Sequence, residues 1–206
     1  PFNKLMSDGM TIRCYNGSFA RVFKIEGLDL AFATEEKNIS MLEARKSWID
    51  NMSDLQVTCR VITLRERIPP DEIIGTFDNL EQVAYTWQST LNRVYSNSHY
   101  VVISIPDRPD ALKDLNYASQ TLMATLSEYG VRAMFESEDS LPKDSPFHVF
   151  SRICSPVSKP DPKVRNAEGA MLNEILTADH IHFTGENGII KFFSGDQEMY
   201  AITMGL

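Results

Sequence analysis

"MTIRCYNGSFARVFKIEG", residues 10 to 27, sets an apolar alternation on both sides of an Asn-Gly pair. Alternation at period two marks a strand with one buried face, and Asn-Gly is a favoured connection between two such strands. Met10, Ile12 and Cys14 share one face. Across the turn, Phe19, Arg21, Phe23 and Ile25 alternate with Ala20, Val22, Lys24 and Glu26, giving one mostly apolar row and one mixed row. The stretch predicts a hairpin with a type I′ turn, in which Asn16 and Gly17 both take positive φ.

Working outward, Thr34 is an N-cap candidate for a helix through "EEKNISMLEARKSWIDNM", whose acidic start suits the helix dipole. Ile39, Leu42, Trp48, Ile49 and Met52 lie at roughly helical spacing along it. "LQVTCRVITLRER" predicts a long strand, with Leu55, Val57, Cys59, Val61 and Thr63 on one face and Arg60, Ile62 and Leu64 on the other. Pro69-Pro70 ends it, and a second helix is expected from Phe77 to Tyr95 with Leu80, Val83, Trp87 and Leu91 in its stripe. "HYVVISIP" is apolar almost throughout, which places it centrally in a sheet. A third helix starts near Asp110 and stops at Gly130, and "VRAMFE" is another strand. Beyond the polar tract 137–146 come a short helix in "FHVFSRICS", a Pro-rich connector 155–165 and a helix in "NAEGAMLNEILT". Three short strands close the chain: "HIHFTG", "GIIKFFSG" and "EMYAITM".

Strands that occur in groups, and also alternate with helices, predict an α+β fold. The expected form is a mainly antiparallel or mixed sheet with helices packed on one side, a hairpin at the N-terminus and short strands at the C-terminus. Residues 1–206 read as one domain, with sub-lobes 1–136 and 147–206 on either side of the polar loop 137–146. The start at Pro1, without Met, and the apolar end "YAITMGL" suggest a fragment of a longer protein.

Twenty basic against twenty-eight acidic residues give a formal charge of −8, a sign that repels a phosphate backbone. The nearest approach to a basic patch is Arg60, Arg65 and Arg67 with Glu66 among them, and direct nucleic-acid binding is not expected. Cys14, Cys59 and Cys154 are three in number and far apart, which suits buried free thiols in a reducing compartment. No run approaches the roughly 18–20 apolar residues of a membrane-spanning helix.

Few motifs carry chemistry. "GENGIIK", residues 185–191, lacks the spacing of a P-loop, because Lys191 stands three residues past Gly188 in a strand-like run. His180 and His182 share a strand face in a metal-compatible spacing; a third ligand would have to come from elsewhere, for example His148 or His99, and nothing in the spacing demands it. The simpler reading is two imidazoles on a solvated face. There is no GxSxG, and the neighbouring carboxylates Glu35-Glu36, Asp71-Glu72 and Glu138-Asp139 sit in caps and loops. Trp48 and Trp87 read as core residues. No catalytic, cofactor-binding or metal-binding residue is assigned.

The order of elements carries a resemblance. "SDGMTIRCYNGSFARVFKIEGLDLAFATEEK", "VITLRER" and "GIIKFFSGDQEMYAITMGL" resemble the N-terminal region of the VirB4 family (TraC and TrbE types), the large ATPases of bacterial type IV secretion and conjugation systems. The likeness is a loose pattern across most of the chain. It implies an N-terminal α/β domain that oligomerises and docks on the inner-membrane complex at its cytoplasmic face, through other secretion-system proteins. It also implies a separate P-loop domain that uses ATP and Mg. This chain has neither Walker pattern, so no cofactor and no enzymatic activity are expected of it. Two alternatives stand beside that reading: a free-standing ligand-sensing α+β domain, and a metal-assisted hydrolase around His180 and His182.

Overall fold

The computed structural model describes residues 2–27, 34–53, 55–67, 95–161, 172–184 and 189–202. The opening hairpin is present as β2 (Ile12–Cys14) and β3 (Phe19–Ile25), preceded by a strand the alternation did not announce, β1 (Phe2–Leu5). Its turn is not type I′. Gly17 takes φ +85° while Asn16 stays out of the positive region, and the Gly17 amide donates to the Cys14 carbonyl at 3.0 Å. The loop therefore has three residues, closed by the Cys14 amide on the Ser18 carbonyl at 2.8 Å. Asn16 contributes through its side chain, whose Oδ1 accepts from the Ser18 amide and hydroxyl.

Next come α1 (Glu35–Ser53), β4 (Thr58–Arg67), β5 (Tyr95–Ile105), α2 (Ala111–Thr125) and β6 (Val131–Ala133). The main sheet runs β1-β2-β3-β5-β4, with β6 pairing the far end of β3, and all its pairings are antiparallel. Among the described residues the elements from β3 to β6 come in the order β-α-β-β-α-β with strand order β6-β3-β5-β4, which is the ferredoxin-like or split βαβ arrangement. The apolar run of β5 does lie centrally, between β3 and β4. The expected helix at 77–95 lies outside the described residues up to position 94, and Tyr95 already belongs to β5.

One face of this sheet carries the odd-numbered residues Phe19, Phe23, Val101, Ile103 and Ile105, packed with Trp48 and Met52 of α1 and with Ala111, Leu115, Ala118 and Leu122 of α2. The other face carries Ile12, Ala20, Val22, Tyr100 and Val102. The two long helices are therefore on one side. The opposite side also receives two short ones, α3 (His148–Cys154) and α4 (Leu172–Leu176), through Val149, Leu172 and Leu176, with Phe147 at the start of α3. Each fully buried Leu, Val or Phe on these faces contributes about 1.5–3 kcal/mol. Gly130, at φ +61°, ends the helical turn after α2, as its position predicts.

The last three strands form a separate antiparallel meander, β7 (His180–Phe183), β8 (Ile189–Ser194) and β9 (Gln197–Ile202). The expected Glu186-Asn187-Gly188 turn lies outside the described residues, whereas Gly195, at φ +58°, makes the second turn. The described residues form an α+β fold. Among the described residues no helix is long and apolar enough to cross a membrane.

Candidate functional site

The residues singled out for chemistry do not converge. His180 and His182 do share a face of β7 and both are exposed, but His180 stacks on Phe193 with ring centroids 5.1 Å apart. His182 stands opposite Lys191, whose amine is bound to Glu198, so a cation already occupies the neighbourhood a metal would need. The hydrogen bond to Glu198 raises the Lys191 pKa, and the same bond lowers that of Glu198. His99 is on β5, with its Nδ1 3.0 Å from the Thr63 hydroxyl, and His148 is buried in α3. Among the described residues no group of three or more His, Cys, Asp or Glu assembles as a metal site. The three cysteines are free, but Cys59 is exposed, which corrects the expectation of a buried thiol. Its strand lies at the sheet margin, where the outward row meets solvent. The three arginines do not form one patch either: Arg60 lies on the even face of β4, and Arg65 and Arg67 lie on the odd face.

Two charged clusters are built into the fold. Arg21 sits in the middle of the apolar odd row and is buried, yet every side of its guanidinium has a partner. Nε donates to Thr11 Oγ1 at 2.9 Å, Nη1 to Ser119 Oγ of α2 at 3.1 Å, and Nη2 to Asp8 Oδ2 at 3.2 Å. Burial would raise the Asp8 pKa. The Thr11 hydroxyl, the Thr11 and Met10 amides and the Arg21 charge together outweigh it, and the net shift is downward. The second cluster joins β4 to the α3 region. Glu66 meets Lys159 at 3.1 Å and Arg152 at 3.9 Å, and Arg152 pairs with Asp161 at 3.0 Å. His148, 3.9 Å from Asp161, has its pKa lowered by burial and then by the Arg152 charge. Both clusters are internal clamps. In the first, the Thr11 hydroxyl donates to Asp8 Oδ2 at 2.6 Å and its oxygen accepts from Arg21 Nε, so that hydroxyl is held as a bridge between the two charges.

What the molecule presents outward is an edge. β4 is ten residues long and pairs with β5 along its whole length, from Thr58↔Ser104 to Arg67↔Tyr95. Among the described residues no strand pairs its other side. Its even row is anchored: Ile62 and Leu64 pack on the core around Tyr100 and Val102, and Glu66 is held by the second cluster. Its odd row is open. Val61 is 71% exposed, and Arg65 lies over the Tyr95 ring at 4.5 Å, which flattens two long side chains along the strand. An anchored strand with a free side is a rigid template for main-chain pairing. Sequence reading found this strand and both of its rows. It did not identify which row faces solvent, because Cys59 and Val61 look as apolar as Ile62 and Leu64.

No protein-family model matches the chain, and no curated protein matches it in sequence.

Proposed function

We propose that this chain is a non-catalytic assembly domain, and that it serves as the docking and oligomerising part of a VirB4-like type IV secretion ATPase. In that role it stands at the cytoplasmic face of the inner membrane, held there by other secretion-system proteins and by copies of itself. The observation that supports the assembly role is the open side of β4, with Val61 71% exposed on a strand whose other side is fully paired. Long edge strands are normally blunted by charge, proline or a bulge; β4 carries its charges mostly at one end, in Arg65, Glu66 and Arg67, and leaves Val61 clear of them. The link to secretion motors rests on the resemblance of the opening hairpin, "VITLRER" and the closing strands.

Sedimentation velocity over a range of concentrations tests the assembly role. The chain is expected to self-associate reversibly, and Val61→Lys, an exposed substitution, is expected to shift it toward monomer without lowering its melting temperature. A chain that stays monomeric at high concentration, or association untouched by Val61→Lys, overturns the edge as the contact. The coding sequence past Leu206 tests the parent: a GxxxxGK[ST] after a strand supports the motor assignment, and an early stop codon removes it.

A further inference from the structure

Among the described residues, none covers the even face of the main sheet at the end next to the Cys14–Ser18 turn. In register across β3, β5 and β4, the row Ala20, Ser104 and Thr58 is made of small side chains, and the next row is Val22, Val102 and Arg60. A row of small residues lowers the sheet surface locally, and beside it the Phe150 ring of α3 packs on Phe2 with centroids 4.5 Å apart. The result is an open groove of about 390 Å³. Its floor is Ala20, Val102 and Ser104, one wall is the Phe2–Phe150 pair, and the Cys14–Ser18 turn closes one end. That volume lies within the range of small-molecule sites, about 300–1,000 Å³.

The charge in the groove is the informative part. None of its described lining residues is acidic, although the chain as a whole carries a net charge of −8. Arg60 is the single ionic group in the lining, and among the described residues it has neither an ion pair nor a hydrogen bond. Arg21 and Arg152 are paired, Arg65 is stacked on Tyr95, and Arg108 pairs with Asp114 at 2.8 Å. The Ser104 hydroxyl on the floor is likewise without a partner. An apolar trough with one unpaired guanidinium at its side and one free hydroxyl in its floor is complementary to a body without charge that ends in a single anion.

We propose that this groove binds a small amphipathic monocarboxylate. The apolar body lies on Val102 against Phe150, the carboxylate takes the Arg60 guanidinium through two parallel N–H···O bonds, and Ser104 donates a third. The site is independent of the β4 edge, since Val61 points to the opposite face of the sheet.

The test is a titration of the whole chain followed by amide chemical shifts, with 2-naphthoate as probe and the neutral 2-naphthamide as its isostere. Naphthoate is expected to give saturable shifts centred on Ala20, Val102 and Ser104, and naphthamide to bind about tenfold more weakly. Arg60→Gln, an exposed change that leaves the fold intact, is expected to cost naphthoate about tenfold and to leave naphthamide unchanged. Ser104→Leu, which fills the floor, is expected to abolish both. Equal binding of the two probes, shifts centred elsewhere, or an Arg60→Gln variant that binds naphthoate as well as the wild type would each overturn the site. Shifts at these amides that depend on protein concentration without any probe would also overturn it, because a second copy of the chain would then fill the groove.

Discussion

A single arginine inside an apolar row shows how this fold tolerates charge. Arg21 alternates with Phe19 and Phe23 on β3 and faces α2, so its guanidinium has left water almost completely. Three acceptors, Thr11, Ser119 and Asp8, replace that water, and they come from the loop before β2 and from α2. The cluster thereby pins helix to sheet. Arg21→Met keeps the length and the apolar stem but removes all three bonds. Asp8 retains the Thr11 and Met10 amides and is partly solvated, so the loss stays below that of a fully buried pair, at about 2 kcal/mol. Urea denaturation is expected to show that loss, with a fall in melting temperature of about 4–8 °C for a domain of this size. Asp8 adds a pH signature. Its folded pKa lies below the ordinary 3.8, so its contribution is complete above that value and is lost as pH falls through the depressed one. Asp8→Asn should be less stable than wild type at neutral pH, and the two should converge in strong acid. Parallel pH profiles for the two proteins would show that the carboxylate is not held in this way.

At the scale of elements, backbone contact decides what a glycine is for. Gly9 has φ +68°, and a Cβ there would stand 2.5 Å from the Glu136 carbonyl oxygen and 2.8 Å from the Phe135 ring. The Glu136 amide also donates to the Gly9 carbonyl at 2.9 Å, so the loop before β2 and the chain leaving β6 lie backbone to backbone. Gly195 has nearly the same φ, +58°, with nothing within 4 Å. Gly195→Ala is therefore expected to cost about 1 kcal/mol for its left-handed backbone alone, and Gly9→Ala about 2–4 kcal/mol because overpacking is added. Equal costs in thermal denaturation would show that the close approach at Gly9 relaxes freely. This contact was not legible in the sequence, since Gly9 and Glu136 are far apart in the chain and carry no local pattern. Elements with strong periodicity were legible: β3, the central β5, α2 with its Gly130 stop, and the three closing strands. Where two apolar stripes compete, the pattern failed. α1 has Ile39, Leu42 and Ile49 on one side and Met41, Trp48 and Met52 on another, and the second set is the buried one. Trp48 and Met52 are one turn apart and join the buried cluster that holds Val101 and Ile103 of the sheet, which no count of helical spacing reveals. β1 was missed because "FNKL" is too short to alternate convincingly, and its partner is β2. The groove beside Arg60 was hidden for a related reason. Its floor depends on β3 and β5 being in register, and Ala20 and Ser104 are unremarkable until they are neighbours.

Across the whole molecule, burial is unevenly shared between the two sheets. Both core clusters are built on the main sheet, and no residue of β7, β8 or β9 belongs to either. Phe192 is the buried hydrophobic residue of the small sheet among the described residues, while Ile181, Phe183, Met199, Tyr200 and Ile202 remain exposed. What ties the start of β7 to the rest is polar. The Asp179 carboxylate accepts from the Val157 amide at 2.8 Å and from the Ser158 amide at 2.9 Å, and the Ser155 hydroxyl bridges the Leu176 carbonyl and the Ala178 amide. Hydrogen bonds of this kind contribute about 1 kcal/mol each, far less than the apolar burial beneath β3 and β5. Local opening follows the weakest packing, so the small sheet is expected to open without the main sheet. Hydrogen exchange followed by mass spectrometry should show β8 amides exchanging about thirtyfold faster than those of β5, a gap of roughly 2 kcal/mol in opening free energy. Asp179→Ala removes the clamp and should speed exchange in β7 and β8 further while leaving β3 and β5 at their wild-type rates. If β8 and β5 exchange at one common free energy, and Asp179→Ala lowers both together, the two sheets unfold as one unit and the polar clamp matters as much to the main core as to the meander.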